Sequence, residues 1–554
     1  MRDKGLSIRF DIQSILGVWL TLVLLTAPGG SMPASGNLAP AQADSACPPL
    51  PPPGGNVVNV STVAGLESAV NNAASDTTIL VADGYYNLDG VYLLFDTPGV
   101  TLRSASGNRQ AVVLDGNYIT TEIVQIVASD VTIADLTLRE AYDHPIHVMS
   151  TETSHTLNTL IYNVHIIDPG QQAIKINPVP GGFYTDDGVI ACSQVELTDA
   201  GRSHIRDNCY TGGVDAHQSR GWTVRDNRIQ GFWCEAGLSE HAIHLWRGCR
   251  DTTIERNILL DNARGVGLGL VTDGEGRTYP DDPCPAASGY VDDFGGMLRN
   301  NFIAANSSGL FASQSGFDCG ICLWNACNAQ ALHNTIYTAD PGSTFSSIEW
   351  RFPNTQAQII NNLVNHTLRE RDGATAVQSG NLSGALAEWF AAAGEGDLHL
   401  APAAAAAIDQ ALTLVGVSDD IDGESRPAGP APDIGADELS AEGFSLAVSP
   451  LHQAIHPGGV AVFTIAVDPS GAFAAPVHLE VDNPSPDLLV SLSPADGIPP
   501  FQSTLAITDT HTGPALPGWW YTLPITATSA TVTQATSVTL LVGGSRLYLP
   551  NVIK

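Results

Sequence analysis

The chain has 554 residues, with 24 basic against 57 acidic side chains and a formal net charge of −33. So acidic a surface repels a phosphate backbone, which excludes nucleic acid as a partner class. The length is too great for one ordinary core but suits a long repetitive domain followed by a small one.

In chain order, the first residues read as an export leader. Arg2, Lys4 and Arg9 precede the apolar run Ile15 to Leu25, which is short for a bilayer span, and small-residue sites follow at Ala39–Ala41 and Ala41–Ala43. Residues 1–46 are therefore assigned to a signal peptide and a Pro/Ala-rich leader, and the protein to a secreted or cell-surface location. In that setting the nine cysteines, eight of them from Cys192 to Cys327, are able to pair, and spacing leaves the connectivity open. Cys319 and Cys322 form a lone C-x-x-C, a weak metal signal without a second pair.

Residues 62–88 read as a capping helix followed by the first strands. A phrase then recurs: "LIYNVHI" (160–166), "VRDNRI" (224–229), "IERNIL" (254–259), "LRNNFI" (298–303), "LHNTI" (332–336) and "IINNLV" (359–364). It puts Asn163, Asn227, Asn257, Asn301, Asn334 and Asn362 at one repeat position, with Asp135 preceding them and room for an extra coil around "VIACSQVEL". A fixed phrase at variable spacing, set in short β-type runs, fits stacked coils with loops of different length. Asn accepts the left-handed backbone of a tight bend, and stacked Asn side chains can hydrogen-bond from coil to coil. The fold expected for residues 47–440, end caps included, is a right-handed parallel β-helix.

Strand alternation then sorts residues into faces. Ile146, Ile174, Val214, Ile243, Val266, Ile321 and Ile348 should enter the core. The next column, His147, Lys175, Asp215, His244, Gly267, Cys322 and Glu349, should face solvent. A second outer column follows: Met149, Asn177, His217, Trp246, Gly269, Trp324 and Arg351. Lys175 is unusual, because Lys4 and Lys554 are the only other lysines in the chain. A compact ammonium among arginines suggests a specific use. Nine arginines from Arg202 to Arg264 would make the cleft locally positive. The doublets Asp186–Asp187, Asp281–Asp282 and Asp292–Asp293 read as solvated turns, with Ca²⁺ as the cation such groups would take.

Towards the end, residues 399–411 and 420–439 are rich in Ala, Asp, Gly and Pro, and resemble the closing motif of bacterial exported β-helix proteins. That composition suits a cap over the last open edge. Residues 441–544 alternate in short strands, as an Ig-like β-sandwich does. The tail at 545–554, with this region, is a candidate for cell-surface attachment.

Within this frame, "GGVDAHQ" (212–218) resembles the Y-G-F-D-P-H-[DE] signature of mannuronan C5-epimerases, alginate-modifying β-helix enzymes related in chemistry to polysaccharide lyases. In the next coil His241, Arg247 and Asn257 are similar in order to that family's H-G-I-I-[IV]-S-R phrase and following Asn. The resemblance covers residues 212–257. It implies that Asp215 orients the base, His217 takes or returns the C5 proton of a uronic acid residue, and Arg247 pairs with the sugar carboxylate. Lys175 would match a basic residue one coil earlier, and His244 shares the patch. His147, Arg220, His241, Trp246, Trp324, Glu349 and Arg351 would line the cleft against an acidic polysaccharide. The family's Tyr, Pro and final acid are Gly212, Ala216 and Gln218 here, although Tyr210 is close.

Proton abstraction leads to a lyase or an epimerase from one intermediate, and the residues do not separate them. Two other readings stay open. A glycoside hydrolase would pair Asp215 with Glu349 or Glu240. A non-catalytic glycan-binding protein would use Trp246 and Trp324 as stacking platforms. An open groove exposing His217 and Arg247 favours the enzyme, and burial of both under a loop favours binding.

Overall fold

The structure, a computed structural model, describes residues 47–439, 443–470, 473–511, 518–529 and 532–543. The assigned leader and the tail at 545–554 lie outside the described residues. Up to Ser383 most strands are short and pair in parallel with the strand one coil further on. Three long sheets result. One runs from Asn56–Val60 and Thr77–Val81 through Val189–Ala191 and Thr223–Arg225 to Thr375–Ser379. A second runs from Gly84–Asn87 to Leu382–Ser383. The third contains His144–Met149, Gln172–Asn177, Gly212–His217, Ile243–Trp246, Arg264–Leu268, Phe317–Trp324 and Thr344–Arg351. This is the expected parallel β-helix, including the extra coil at Val189–Ala191 and Gln194–Glu196.

The third sheet keeps the register read from sequence. Ile146, Ile174, Val214, Ile243, Val266, Ile321 and Ile348 stack strand on strand, all buried in one continuous core. Each such side chain contributes about 1.5–3 kcal/mol on leaving water. His147, Lys175, Asp215, His244, Gly267, Cys322 and Glu349 stack in the neighbouring column. That column does not face solvent as expected. Asp215 is 1% exposed, His244 0% and Lys175 7%. Loops fold over it, notably residues 197–211 and 231–242, which the Cys209–Cys234 disulfide ties together.

The bend between the first two sheets holds a side-chain ladder. Nδ2 of Asn227 donates to Oδ1 of Asn257, then Asn257 to Asn301, Asn301 to Asn334, Asn334 to Asn362 and Asn362 to Asn381, at 2.9–3.0 Å. Each rung also accepts the backbone N–H of the Asn one coil earlier, so groups that water cannot reach are satisfied. Two expectations need correcting. The left-handed residue is the one before each rung, namely Asp226, Arg256, Asn300, His333 and Asn361. Asn163 belongs to that preceding column, stacked with Cys192 and Asp226, and Asp135 lies there too. Ser193 takes the ladder position in the extra coil, donating its N–H to Asn227 Oδ1.

The expected helix is Val63–Asn71. The Thr62 hydroxyl caps it by accepting the Gly65 N–H, and Leu66 and Val70 enter the β-helix core. The Ala-rich segment after His399 runs back along the flank instead of only closing the end. Ala404, Ala407, Ile421 and Ile434 pack with Leu260, Phe302 and Leu363 of the second sheet. Asp419 accepts from both Arg256 and Arg299, two coils of the helix. From Gly443 a four-stranded and a five-stranded sheet, antiparallel except for His452–Ile455 against Thr533–Val542, enclose their own core around Phe444, Phe463, Leu505 and Ile525. Among the described residues, no helix is long and apolar enough to cross a membrane.

Candidate active site

Two coils of the third sheet meet at one ammonium, and a third reaches the carboxylate beside it. Lys175, on Gln172–Asn177, stacks on Asp215 of Gly212–His217, and its Nζ donates to the Asp215 carboxylate. The same Nζ lies 3.1 Å from the Tyr210 hydroxyl and 3.1 Å from His217 Nε2. Tyr210 in turn donates to Asp215 Oδ2 at 3.4 Å, and His217 Nε2 is 3.3 Å from that oxygen. The other Asp215 oxygen accepts the Trp246 indole N–H at 2.9 Å and faces His244 Nδ1 at 3.7 Å. The carboxylate is thus held on every side.

The electrostatics follow from burial and these partners. Burial pushes the Asp215 carboxyl up, but Lys175, His217 and His244 outweigh it and hold it well below the ordinary carboxylate range. Burial pulls the Lys175 ammonium down, yet attraction to Asp215 and Tyr210 leaves it raised. Lys175 is therefore a fixed cation and not the depressed amine that a lysine base needs. Burial lowers His217 below its ordinary value, with Asp215 opposing and Lys175 and Arg247 reinforcing the effect. Burial, then Asp215, raises Tyr210, which stays a phenol. The Lys175 ammonium can only donate, so its 3.1 Å contact makes Nε2 of the neutral His217 an acceptor; the ring becomes a donor to Asp215, 3.3 Å away, once it has taken a further proton.

Arg247 ends the next strand in a left-handed conformation, its N–H bound to Asp292 at 2.6 Å. Its guanidinium is exposed, sits 4.6 Å from the centre of the Trp246 ring, and has no ion-pair partner among the described residues. The Trp246 ring also meets His217 edge-on at 4.7 Å and stacks on His244 at 5.2 Å. It is a half-buried brace, with its indole N–H already committed to Asp215.

The remaining residues named from sequence lie in several places. His241 is fully buried beside His244, with ring centroids 4.4 Å apart. His147 is fixed between Glu122 and Asn177 two coils before Asp215. Arg220 is exposed, and its backbone N–H donates to Asp186. Trp324 is buried under Arg264 and Arg351, so it offers no open stacking face. Arg351 pairs with Asp372. Glu349 is fully buried against Arg371, and the register puts it four coils from Asp215, about 19 Å at the usual strand spacing. Paired hydrolytic carboxylates stand about 5–10 Å apart, so those two do not form such a pair.

Other expectations change as well. Arg202, Arg206, Arg225, Arg250, Arg256 and Arg264 are each spent in an ion pair, which leaves the cleft less positive than its arginine count suggests. The acidic doublets are not all solvated turns. Asp186 binds Arg277, and Asp292 accepts from the Arg247, Leu270 and Val271 N–H groups and the Tyr290 hydroxyl. Asp293 is buried, which pushes its carboxyl well above the ordinary range. Cys319 and Cys322 are joined to each other; Cys47–Cys192 and Cys284–Cys327 are the further bridges, and Cys249 is a buried free thiol.

Sequence reasoning left Tyr210 and Glu240 out of the candidate set proper. Both sit on loops, where no strand period marks them. The signal for Tyr210 is the departure at Gly212. A Cβ there would lie 2.7 Å from the His241 carbonyl and 3.1 Å from Glu240 Cβ, so the close pass of that segment requires glycine. The phenol enters from two residues upstream instead.

Fold and site together define a parallel β-helix protein with a Lys–Tyr–Asp–His cluster on one sheet. No protein-family model matches the chain, and no curated protein does. Among solved structures it is similar to domains 4 and 5 of the S-layer protein SbsC (20% identity, TM-score 0.14, 19% of this chain and 54% of that one). It is similar also to the periplasmic chaperone SfaE (13%, 0.16, 19% and 60%) and to the PL6 family alginate lyase AlyGC (12%, 0.32, 73% and 61%). The chain thus spans less than two thirds of each. At these scores the β-helix assignment rests on the chain's own sheets.

Proposed function

We propose that the protein is an enzyme that removes the C5 proton of uronic acid residues in an acidic polysaccharide, as a lyase or a C5-epimerase. The observation that carries this reading is the convergence of Tyr210, Asp215 and His217 on Lys175 Nζ, beside an exposed Arg247 that has no ion-pair partner among the described residues. Arg247 pairs with the sugar carboxylate and stabilises the charge that develops there as C5 loses its proton. His217 takes that proton, and Asp215, 3.3 Å from Nε2, steadies the imidazolium. Lys175 keeps Asp215 ionised in a buried place. Tyr210, held as a phenol, is the acid. Return of a proton to the opposite face of C5 gives the epimer; cleavage of the C4–O4 bond with a proton passed to O4 gives the unsaturated lyase product.

His217 keeps 15% of its side chain accessible and Arg247 is exposed, which favours the enzyme over a glycan-binding protein with both covered. Export of the protein, the Ig-like character of the C-terminal sandwich and its use in surface attachment belong to the same proposal. The test is a panel of uronic acid polysaccharides incubated with the protein, followed by absorbance of unsaturated ends and by NMR of C5 configuration. Either signal on one polymer, abolished by Arg247→Ala, is expected. Silence on every polymer would sink the reading.

A further inference from the structure

Behind Asp215 lies a second cluster that the proton-transfer scheme does not use. Glu240 and His241 close the loop before Ile243–Trp246, and His244 follows on the strand. One donor atom from each lies within 4.8 Å of the others. Glu240 Oε2 is 3.0 Å from His244 Nδ1 and 3.9 Å from His241 Nδ1. His241 and His244 are fully buried.

Among the described residues, neither ring nitrogen of His241 has a hydrogen-bond partner, and the buried Glu240 Oε2 and His244 Nδ1, 3.0 Å apart, have none besides each other. Stranding one such atom costs about 1–3 kcal/mol, and the Nδ1 atoms of His241 and His244 both lie near Glu240 Oε2. His244 Nε2 lies 3.4 Å from the Gly269 carbonyl and can only donate to it. In the neutral ring that puts the lone pair on Nδ1, facing a carboxylate oxygen. Two acceptors so placed need a positive centre between them. A backbone carbonyl holding the far nitrogen is also how metal-bound imidazoles are oriented.

Two glycines make the room. A Cβ at Gly267 would lie 2.6 Å from the His241 ring, and one at Gly212 would lie 2.7 Å from the His241 carbonyl.

From this geometry we propose that Glu240, His241 and His244 form a binding site for a divalent transition-metal ion of the zinc type. Bonds of about 2.0–2.1 Å in a tetrahedron give ligand–ligand edges of about 3.3 Å, close to the Glu240–His244 separation. Two imidazoles and one carboxylate suit Zn²⁺, whereas Ca²⁺ takes six or more oxygens and finds one carboxylate here. Cys319 and Cys322 lie on the other side of His241, with their sulfurs joined to each other. The donors are therefore nitrogen and oxygen. The site stands apart from the substrate reading, since binding needs no turnover.

The test uses the full chain, stripped with a chelator under non-reducing conditions and titrated with Zn²⁺, Co²⁺ and Ca²⁺. One equivalent of Zn²⁺ is expected, with no Ca²⁺ bound at the same concentration. Co²⁺ should give visible d–d bands without sulfur-to-metal charge transfer. Glu240→Gln and His244→Gln, each with the wild-type circular dichroism, should weaken Zn²⁺ binding at least tenfold. Because the Co²⁺ spectrum is read on the unaltered protein, it decides even if a variant fails to fold. Absence of stoichiometric Zn²⁺ would overturn the proposal and leave a proton shared between His244 and Glu240. Unchanged binding in folded variants, or a charge-transfer band indicating Cys319 and Cys322, would overturn the assignment equally.

Discussion

Asp215 organises its neighbours by being an anion that cannot leave. Its burial would favour the protonated form, and the Lys175 ammonium prevents that. His217 is thereby poised between Asp215, which stabilises its protonated form, and desolvation with two cations, which oppose it; opposition wins. The sign of the pH dependence follows. A base must be neutral to act, so the acid limb of kcat/KM should have its midpoint below 6.5, the ordinary histidine value. Tyr210 is raised from 10, so loss of the phenol proton should not cut activity below that pH. A profile over pH 4–10 on the polymer found by the panel checks both, and an acid limb centred above 6.5 would contradict the assignment. At this scale the sequence was partly legible. Lys175 stood out as a rare lysine, and His217 and Asp215 came from one short phrase, because strand alternation fixes which side chains share a face. Tyr210 and Glu240 were hidden because loops have no period.

Among the elements, the Asn ladder is the clearest structural device. Asn301 makes contact with both neighbouring rungs and with the Ile254 and Arg299 carbonyls, all in a buried bend. Asn301→Ala should destabilise by about 1–3 kcal/mol, since it strands the Asn257 N–H, whereas the Asn334 Oδ1 keeps the Asn301 backbone N–H. Denaturant melts followed by intrinsic fluorescence would show it; a loss under about 0.5 kcal/mol would mean the ladder is incidental. The repeat was legible because the rung Asn must recur, whereas its left-handed neighbour varies among Asp, Arg, Asn and His. That variation is why alignment on Asn alone misplaced Asn163 by one residue.

The loops carry the site's other half. Tyr210 follows Cys209, which is bridged to Cys234 across the two covering loops. Replacing both cysteines by serine should lower kcat at least about tenfold, a loss of about 1.4 kcal/mol in transition-state stabilisation, by freeing the phenol. The same change at Cys284 and Cys327 serves as the control. Equal activity in the two double variants would show that the Cys209–Cys234 bridge has no special bearing on the site.

For the whole molecule, the net charge of −33 works against an anionic polymer, and most of the cleft arginines are already paired. Selectivity then falls on few groups, chiefly Arg247. Two hydrophobic cores, one running through the coils and one in the C-terminal sandwich, were legible from composition and alternation, because core-facing aliphatic residues recur at every strand. The cover over the polar column was not legible, since it depends on where long loops fold back.

The central claim, that His217 removes the C5 proton, is tested most directly by hydrogen exchange in D₂O. The polymer is recovered after brief incubation and deuterium at C5 of the saturated residues and the yield of unsaturated ends are measured, for the wild type and for His217→Ala. The account predicts C5 deuteration or unsaturated ends with the wild type, reduced at least about a hundredfold in the variant, as for loss of a general base. Wild-type turnover that survives intact in His217→Ala would contradict it.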